Sequence, residues 1–205
     1  MIRASIIIRT FNEEKHLPRL FEALSKQTYQ DFEIILVDSG STDKTLAVAQ
    51  GKCQEIIQIQ SRDFTFGYAL NVGCAKSRGK YLVLVSAHTL PVDDQWLANL
   101  LSPFQGAKVG MVYGKQIGSE ESKFSERRDF QRLFGDSSEY VNNANSALRK
   151  ELWQERPFDE YLFGLEDIEW AKNIIAKDFI VHYEPKAAIY HIHNEKWHQV
   201  FNRYR

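Results

Sequence analysis

The feature that most limits what this chain can fold into is an apolar run, Ile34 to Val37, that stops at Asp38 and passes through Ser39-Gly40-Ser41 into Thr42-Asp43. A short unbroken apolar run bounded by turn residues describes a strand buried on both faces, and such strands belong to sheets covered by helices on either side. A carboxylate delivered at the C-terminal tip of a strand, beside a helix N-terminus, is how open α/β sheets build ligand sites. Asp38 suits a ribose or base edge, and Ser39 and Gly40 let the backbone approach a ligand closely. The same residues also satisfy a plain turn with an N-cap. On this segment alone the two readings are even.

The alternation continues on either side. Ser5–Ile8, Phe32–Val37 and the shorter Glu55–Gln60 read as strands, and Tyr81–Val85 as a fully buried one. Between them, Glu14–Gln27 carries Leu17, Leu20, Phe21 and Leu24 at helical spacing, and Lys44–Gln50 and Tyr68–Lys76 read as further helices. Strands alternating with helices predict an α/β fold with a Rossmann-like, mostly parallel central sheet and helices on both faces. After Pro91 the pattern loosens. Trp96–Leu101 and Glu166–Lys177 read as helices, and Val109–Tyr113, Phe179–Tyr183 and Ala187–His191 as strands. The segment 119–135 reads as a long loop or an exposed helix, and Asn142–Leu148 is apolar only in patches. The expectation is one domain over 1–205, with a nucleotide-type half at 1–91 and a more irregular half at 92–205.

Bulk properties exclude some classes. A net charge of −1 gives no basic field for nucleic acid. No apolar stretch approaches the roughly 18 residues that span a bilayer, and the strand-like start after Met1 is no signal peptide. Cys53 and Cys74 lack any metal-finger spacing and suit a reducing, cytoplasmic compartment. The stretch Trp197–Arg205, with Trp197 and Phe201 four residues apart, is an amphipathic candidate for docking on its own core, on a partner or on a membrane surface; the lack of a lysine run favours its own core.

Chemistry-bearing residues gather where strands are expected to end. Arg9 to Glu14 follows the first strand; Thr10 or Asn12 there could cap the next helix, with acidic residues favoured in its first turn. Gly67 and Asn71 lie on the rim of the helix after the third strand, where a ligand contact and an ordinary helix start are equally compatible. His88 follows the strand Tyr81–Val85, placed to meet a metal or a phosphate. Glu166 and Asp167 open a late helix, as caps or as a general base. His191 and His193 share one side of an extended segment, a weak chelation signal.

Taken together, Ile6 to Glu14, Leu24 to Gln27, Glu33 to Thr45, Asn71-Val-Gly73, Gly79 to Tyr81 and Gly164 to Trp170 resemble, in order, the family 2 glycosyltransferases of the GT-A fold. The run Phe66-Gly67 to Gly73 followed by Ser86 to Pro91 is most similar to rhamnosyltransferase-like members. The resemblance implies an inverting transfer of sugar from a nucleoside-diphosphate sugar to an acceptor hydroxyl, on a saccharide or lipid-linked acceptor, as in polysaccharide biosynthesis. It implies that Thr10, Asn12, Glu14 and Asp38 hold the base and ribose, that Ser39 and Gly40 line the same pocket with Gly67 and Asn71 on its rim, and that Asp167 is the catalytic base, with Glu166 and Trp170 on the acceptor side or in support. Residues 1–91 would then be the nucleotide-binding half and 92–205 the acceptor-binding half. The location implied is cytoplasmic, with peripheral association at the inner face of the membrane left open.

The resemblance also implies a divalent metal, Mg2+ or Mn2+, at the leaving diphosphate. Here the family's Asp-x-Asp reads Ser86-Ala87-His88, and an uncharged hydroxyl is a poor replacement for a carboxylate ligand. His88, with His191 or His193, would have to hold the ion, so metal dependence is an open expectation. The lost carboxylate also motivates a second reading, a non-catalytic nucleotide-sugar binding module. A dinucleotide-dependent oxidoreductase is disfavoured, because no Gly-x-Gly-x-x-Gly follows the first strand.

Overall fold

Four strands, β1 (Ala4–Thr10), β2 (Phe32–Asp38), β3 (Glu55–Gln58) and β4 (Tyr81–Ser86), run parallel and give the sheet its frame. The structure, a computed structural model, describes residues 3–119, 122–135 and 140–192. Among the described residues the sheet has eight strands in the order β3-β2-β1-β4-β7-β6-β8-β5, with β5 (Thr89–Pro91), β6 (Val109–Gly118), β7 (Asn145–Arg149) and β8 (Ile180–His191) added to the first four. β7 runs antiparallel to both its neighbours and β5 antiparallel to β8, whereas β6 and β8 are parallel to each other. The sheet is mostly parallel, as the alternation predicts.

Each strand's period of two sorts its side chains into two cores. Ile6, Ile8, Val83 and Val85 face helix α1 (Leu17–Ser25) and α4 (Trp96–Leu101), together with Ala49 of the short helix α2 (Thr45–Ala49). Ile7, Leu82 and Leu84 face α3 (Phe66–Lys76), α6 (Lys150–Glu155) and α7 (Glu166–Ile175) through Leu70, Trp153 and Trp170. Helix α5 (Phe124–Leu133) packs near β6. Among the described residues no helix is long and apolar enough to cross a membrane.

The structure departs from the sequence reading in several places. Helix α1 begins at Leu17, not Glu14: the Glu13 carbonyl accepts from the His16 and Leu17 amides, and Pro18 sits in the first turn, where its fixed φ starts a helix. The strands expected at Phe179–Tyr183 and Ala187–His191 are one strand, bridged by irregular pairing with β6. The segment 119–135 holds the helix α5, in keeping with the exposed-helix alternative. Asn142–Leu148 contributes β7, a fully buried central strand that apolar patterning does not flag. Its polar side chains are matched internally. Asn145 accepts from Trp96 Nε1 at 2.9 Å and donates to the Ala187 carbonyl at 2.8 Å, and Arg149 Nε donates to the Val109 carbonyl at 2.7 Å.

Candidate active site

Parallel register brings the tips of β1, β2 and β4 level: Thr10 lies opposite Asp38, and Arg9 opposite Ser86. The loops leaving β1 and β2 are then laced together. Asn12, in the left-handed region at φ 56°, accepts from the Thr42 amide at 2.8 Å through Oδ1, while its own amide donates to Ser41 Oγ at 2.8 Å. The Glu13 amide donates to Thr45 Oγ1 at 2.7 Å, and Glu14 Oε2 accepts from the Lys44 amide at 2.9 Å. Asn12 and Glu14 thus hold one loop against the other. Asp38 Oδ2 accepts from the amides of Gly40 at 3.1 Å and Ser41 at 3.0 Å, and Oδ1 accepts from the Ser41 hydroxyl. Of the two readings of this segment, the carboxylate-capped turn is present. Gly40 is confined by its φ of 88° and by Ser61 Oγ, 2.5 Å from where a Cβ would stand.

A cavity of about 260 Å³ opens at this edge, lined by Arg9, Thr10, Ser39, Phe66, Ser86 and His88 among others. Among the described residues, Thr10 Oγ1 is closed off and makes no hydrogen bond. A second, apolar slot of about 200 Å³, walled by Phe11, Ser39, Ser61 and Phe64, shares Phe11, Ser39 and Phe64 with the first. Sequence reasoning passed over Phe11 and Phe64; the available signal was an aromatic directly after the first strand and another shortly before the helix α3.

At the β4 tip the donor set differs from a metal site. The Ser86 hydroxyl accepts from the Arg9 guanidinium at 3.3 Å. His88 Nδ1 is 2.7 Å from Glu13 Oε1, and the other oxygen of Glu13 is 2.6 Å from His16 Nδ1. Burial raises the Glu13 carboxyl, but the hydrogen bonds and charges of His16 and His88 outweigh it and hold the group at about 2. The His191 ring stacks on His88 at 5.0 Å, brought there by pairing of β5 with β8 and by the Ile192 amide bonding to the His88 carbonyl. His193 lies outside the described residues, as does Trp197–Arg205. Among the described residues no group of three or more His, Cys, Asp or Glu side chains is arranged to hold a metal. A carboxylate shared by two imidazoles and a hydroxyl already facing a guanidinium do not fit a hard divalent cation, which is bound through several anionic or neutral oxygens.

Helix α7 enters through two left-handed residues, Gly164 and Leu165 at φ 107° and 64°, and puts three carboxylates in its first turn. Glu166 is buried and accepts from Asn143 Nδ2 at 3.3 Å. Asp167 accepts from the Ile168 amide at 2.8 Å and the Asn143 amide at 3.3 Å. Burial first, then the neighbouring Glu166 charge, raise the Asp167 carboxyl to about 6, against the pull of those amides and of Arg9. Arg9 feels both carboxylates, which offset part of the loss of basicity that burial imposes on it.

Asn71, Gly67 and Trp170 stand behind the site. Asn71 Nδ2 donates to the Phe158 carbonyl and to Glu160, both at 2.8 Å, while its Oδ1 accepts from Trp153 Nε1 at 2.9 Å and the Phe158 amide at 3.0 Å. Its hydrogen-bonding capacity is taken up by protein groups. Gly67 has no room for a Cβ, which would meet the Asp159 carbonyl at 2.3 Å. Trp170 is fully buried and donates to the Arg156 carbonyl at 2.7 Å. All three fasten the segment 156–160 over α3 and α7.

This architecture, a mostly parallel α/β sheet with a cavity at the tips of its leading strands, is the GT-A fold. Residues 5–163 match the sequence model described as glycosyl transferase family 2, and the chain belongs to that family. It is 26% identical to the O-antigen chain rhamnosyltransferase RfbN of Salmonella typhimurium over 222 residues, covering 99% of this chain and 70% of that protein. The O-antigen chain rhamnosyltransferase WbaN of Salmonella anatum is 25% identical over 219 residues, covering 98% and 69% respectively. Among solved structures, the mannosyltransferase PcManGT of Pyrobaculum calidifontis, in complex with GDP-Man and Mn2+, superposes with a TM-score of 0.76 at 19% identity. That match covers 98% of this chain and 60% of the mannosyltransferase chain.

Proposed function

We propose that the chain transfers a sugar, with inversion, from a nucleoside-diphosphate sugar to an acceptor hydroxyl, and that Asp167 is the general base. The observation that carries this reading is the Asp167 carboxyl itself. Raised to about 6, it is ionised at neutral pH yet basic enough to take a proton in the transition state. In the step, the acceptor O–H proton passes to an Asp167 oxygen as the acceptor oxygen bonds to the anomeric carbon. The bond from that carbon to the diphosphate breaks, and the nucleoside diphosphate leaves.

The donor reading rests on the cavity. A planar base suits the slot between Phe11 and Phe64, where aromatic faces offer stacking, and the ribose would fall near Thr10 and Asp38. The acceptor reading rests on the loop leading into α7, the helix that carries Asp167, where Tyr161 and Phe163 are 91% and 98% exposed and present apolar rings to solvent. Such rings suit a saccharide face or the lipid of a lipid-linked saccharide, consistent with the O-antigen relatives, and a lipid carrier would bring the reaction to the cytoplasmic face of a membrane. Residues 1–91 would form the donor half and 92–205 the acceptor half of one domain.

The test is a turnover assay with a panel of nucleoside-diphosphate sugars and saccharide acceptors, the product anomer assigned by NMR. An inverted anomer is expected. A product with retained configuration would overturn the single-step mechanism, and nucleotide binding without turnover on any acceptor would favour the non-catalytic module that the loss of a carboxylate at Ser86 suggests.

A further inference from the structure

We propose that Arg9 is the cation that receives the donor's diphosphate in this protein, in the role that the lost Asp-x-Asp motif would otherwise give to a metal ion. The inference rests on the nucleotide-sugar reading above and concerns how that ligand's charge is met.

The observations converge on one side chain. Arg9 lines the cavity at the strand tips together with Thr10, Ser86 and His88. Register places it directly opposite Ser86, the residue standing where the metal motif has its first carboxylate, and the two side chains are hydrogen-bonded at 3.3 Å. At that position the protein therefore presents a positive charge where a metal site presents a negative one. A cation brought to Ser86 would be repelled by the guanidinium; a diphosphate would be attracted by it.

The guanidinium is also under-satisfied. Among the described residues its one hydrogen bond is the contact to Ser86, and Nε is closed off from water with no partner. Phe66 covers one face of the group, 4.9 Å from ring centroid to guanidinium carbon. Glu166 and Asp167 act on its charge, but neither is hydrogen-bonded to it. Buried polar groups are almost always bonded, so a guanidinium on a cavity wall with one buried donor left unmatched points to a ligand rich in oxygens. Arginine pairs with phosphate through parallel N–H bonds, with the stacked ring restricting its plane. Arg9 also offsets the Glu166 and Asp167 carboxylates, which would otherwise repel the incoming diphosphate.

The experiment is calorimetry on the full chain with UDP, GDP and dTDP and the matching nucleosides, in EDTA and again in Mn2+. Wild type is expected to bind one diphosphate in EDTA well above its nucleoside, with Mn2+ changing the affinity by less than about threefold. Arg9→Gln is expected to lose roughly 10- to 100-fold in diphosphate affinity, the scale of a charged hydrogen-bond pair, while nucleoside affinity stays the same. Arg9→Lys keeps the charge and is expected to recover part of the loss. Ser86→Asp, which places a carboxylate against the guanidinium, is expected to weaken the diphosphate in EDTA as well. Unchanged diphosphate affinity in Arg9→Gln overturns the assignment, and so does wild-type binding that requires Mn2+; in both cases the nucleotide reading stands. Failure of wild type to bind any of these nucleotides, with or without Mn2+, instead removes the nucleotide reading and this inference with it. Retained nucleoside binding in Arg9→Gln reports that the variant is folded.

Discussion

Glu13 and His88 are joined at 2.7 Å, carboxylate oxygen to Nδ1, so that the loop after the first strand is tied to the tip of the fourth. The same carboxylate holds His16 at 2.6 Å, and one acidic side chain thereby fixes the entry to α1 and the orientation of the imidazole on the cavity wall. Its carboxyl lies at about 2 in the fold against an ordinary 4.5. A folded-state value below the unfolded one contributes stability that is present above about pH 4.5 and is lost as pH falls towards 2. The difference is on the order of 3 kcal/mol. Glu13→Gln is therefore expected to be less stable than wild type by about 2–3 kcal/mol at neutral pH, with the gap closing between pH 4.5 and 2. Urea unfolding at a series of pH values measures it; a gap that does not change with pH would sink the account.

Asp167 has the opposite sign. Its carboxyl is raised to about 6 from 3.8, so its favourable contribution to folding is present below 3.8 and is lost as pH rises through 6. At neutral pH the ionised group therefore costs the fold stability. Asp167→Asn is expected to lose turnover by about 10²–10⁴-fold, to leave nucleoside diphosphate affinity within about threefold, and to melt at the same temperature as wild type or a few degrees higher. In wild type the turnover number should fall on the acid side with an apparent pKa near 6. Wild-type turnover in Asp167→Asn would refute the base assignment.

Asn71 illustrates what patterning could and could not reveal. The sequence reading left Asn71 between a ligand contact and an ordinary helix start; that its amide would be matched by Phe158, Glu160 and Trp153 was not legible, because those partners lie more than 80 residues away. The parallel frame was legible because β1, β2 and β4 are continuous apolar runs. β7 was not, because Asn145, Ser146 and Arg149 make a buried strand look polar, and only long-range partners such as Trp96 and the Val109 carbonyl explain why they are tolerated. The pairing of Arg9 with Ser86 is likewise a matter of strand register across 77 residues. His88 was placed by its strand tip, whereas its partner Glu13 could be recognised only once the β1 loop had turned back over β4.

Asn71→Ala is expected to cost stability rather than ligand affinity. It removes both sides of a buried amide and leaves the Trp153 indole and the Phe158 amide unmatched, for a loss of about 2–4 kcal/mol. The variant's nucleotide affinity, measured where it remains folded, should stay within about threefold of wild type. A selective loss of nucleotide affinity, with stability intact, would instead return Asn71 to the ligand.

Glu33 gives a stability test remote from the cavity. Its buried carboxylate accepts from Ser5 Oγ at 2.6 Å, from the Arg78 amide at 2.6 Å and from Arg78 Nε at 2.7 Å, tying β1 and β2 to the turn before β4 at the N-terminal end of the strands. Burial raises its carboxyl, but the Ser5 and Arg78 bonds prevail and hold it below the ordinary carboxylate range. Glu33→Ala should destabilise the fold by about 2–4 kcal/mol, since it strips the partners of a buried carboxylate, with no change in nucleotide affinity. A variant as stable as wild type would show the network to be dispensable.

Gly67 and Asn71 hold the same segment from two sides, which makes their coupling measurable. A Cβ on Gly67 would stand 2.3 Å from the Asp159 carbonyl oxygen and 2.9 Å from its carbon, so Gly67→Ala must lift residues 159–160 off α3. Overpacking of this kind typically costs about 1–3 kcal/mol. Lifting the segment also stretches the bonds that Asn71 makes to Phe158 and Glu160. Once those bonds are weakened, removing the amide costs less, so the double variant Gly67→Ala with Asn71→Ala should lose less stability than the two single losses added together. Residues that share a partner segment show such non-additivity at about 0.5–3 kcal/mol. Strict additivity in a double-mutant cycle would show that the two residues act on separate structures and that the segment is not fastened in the way the contacts imply.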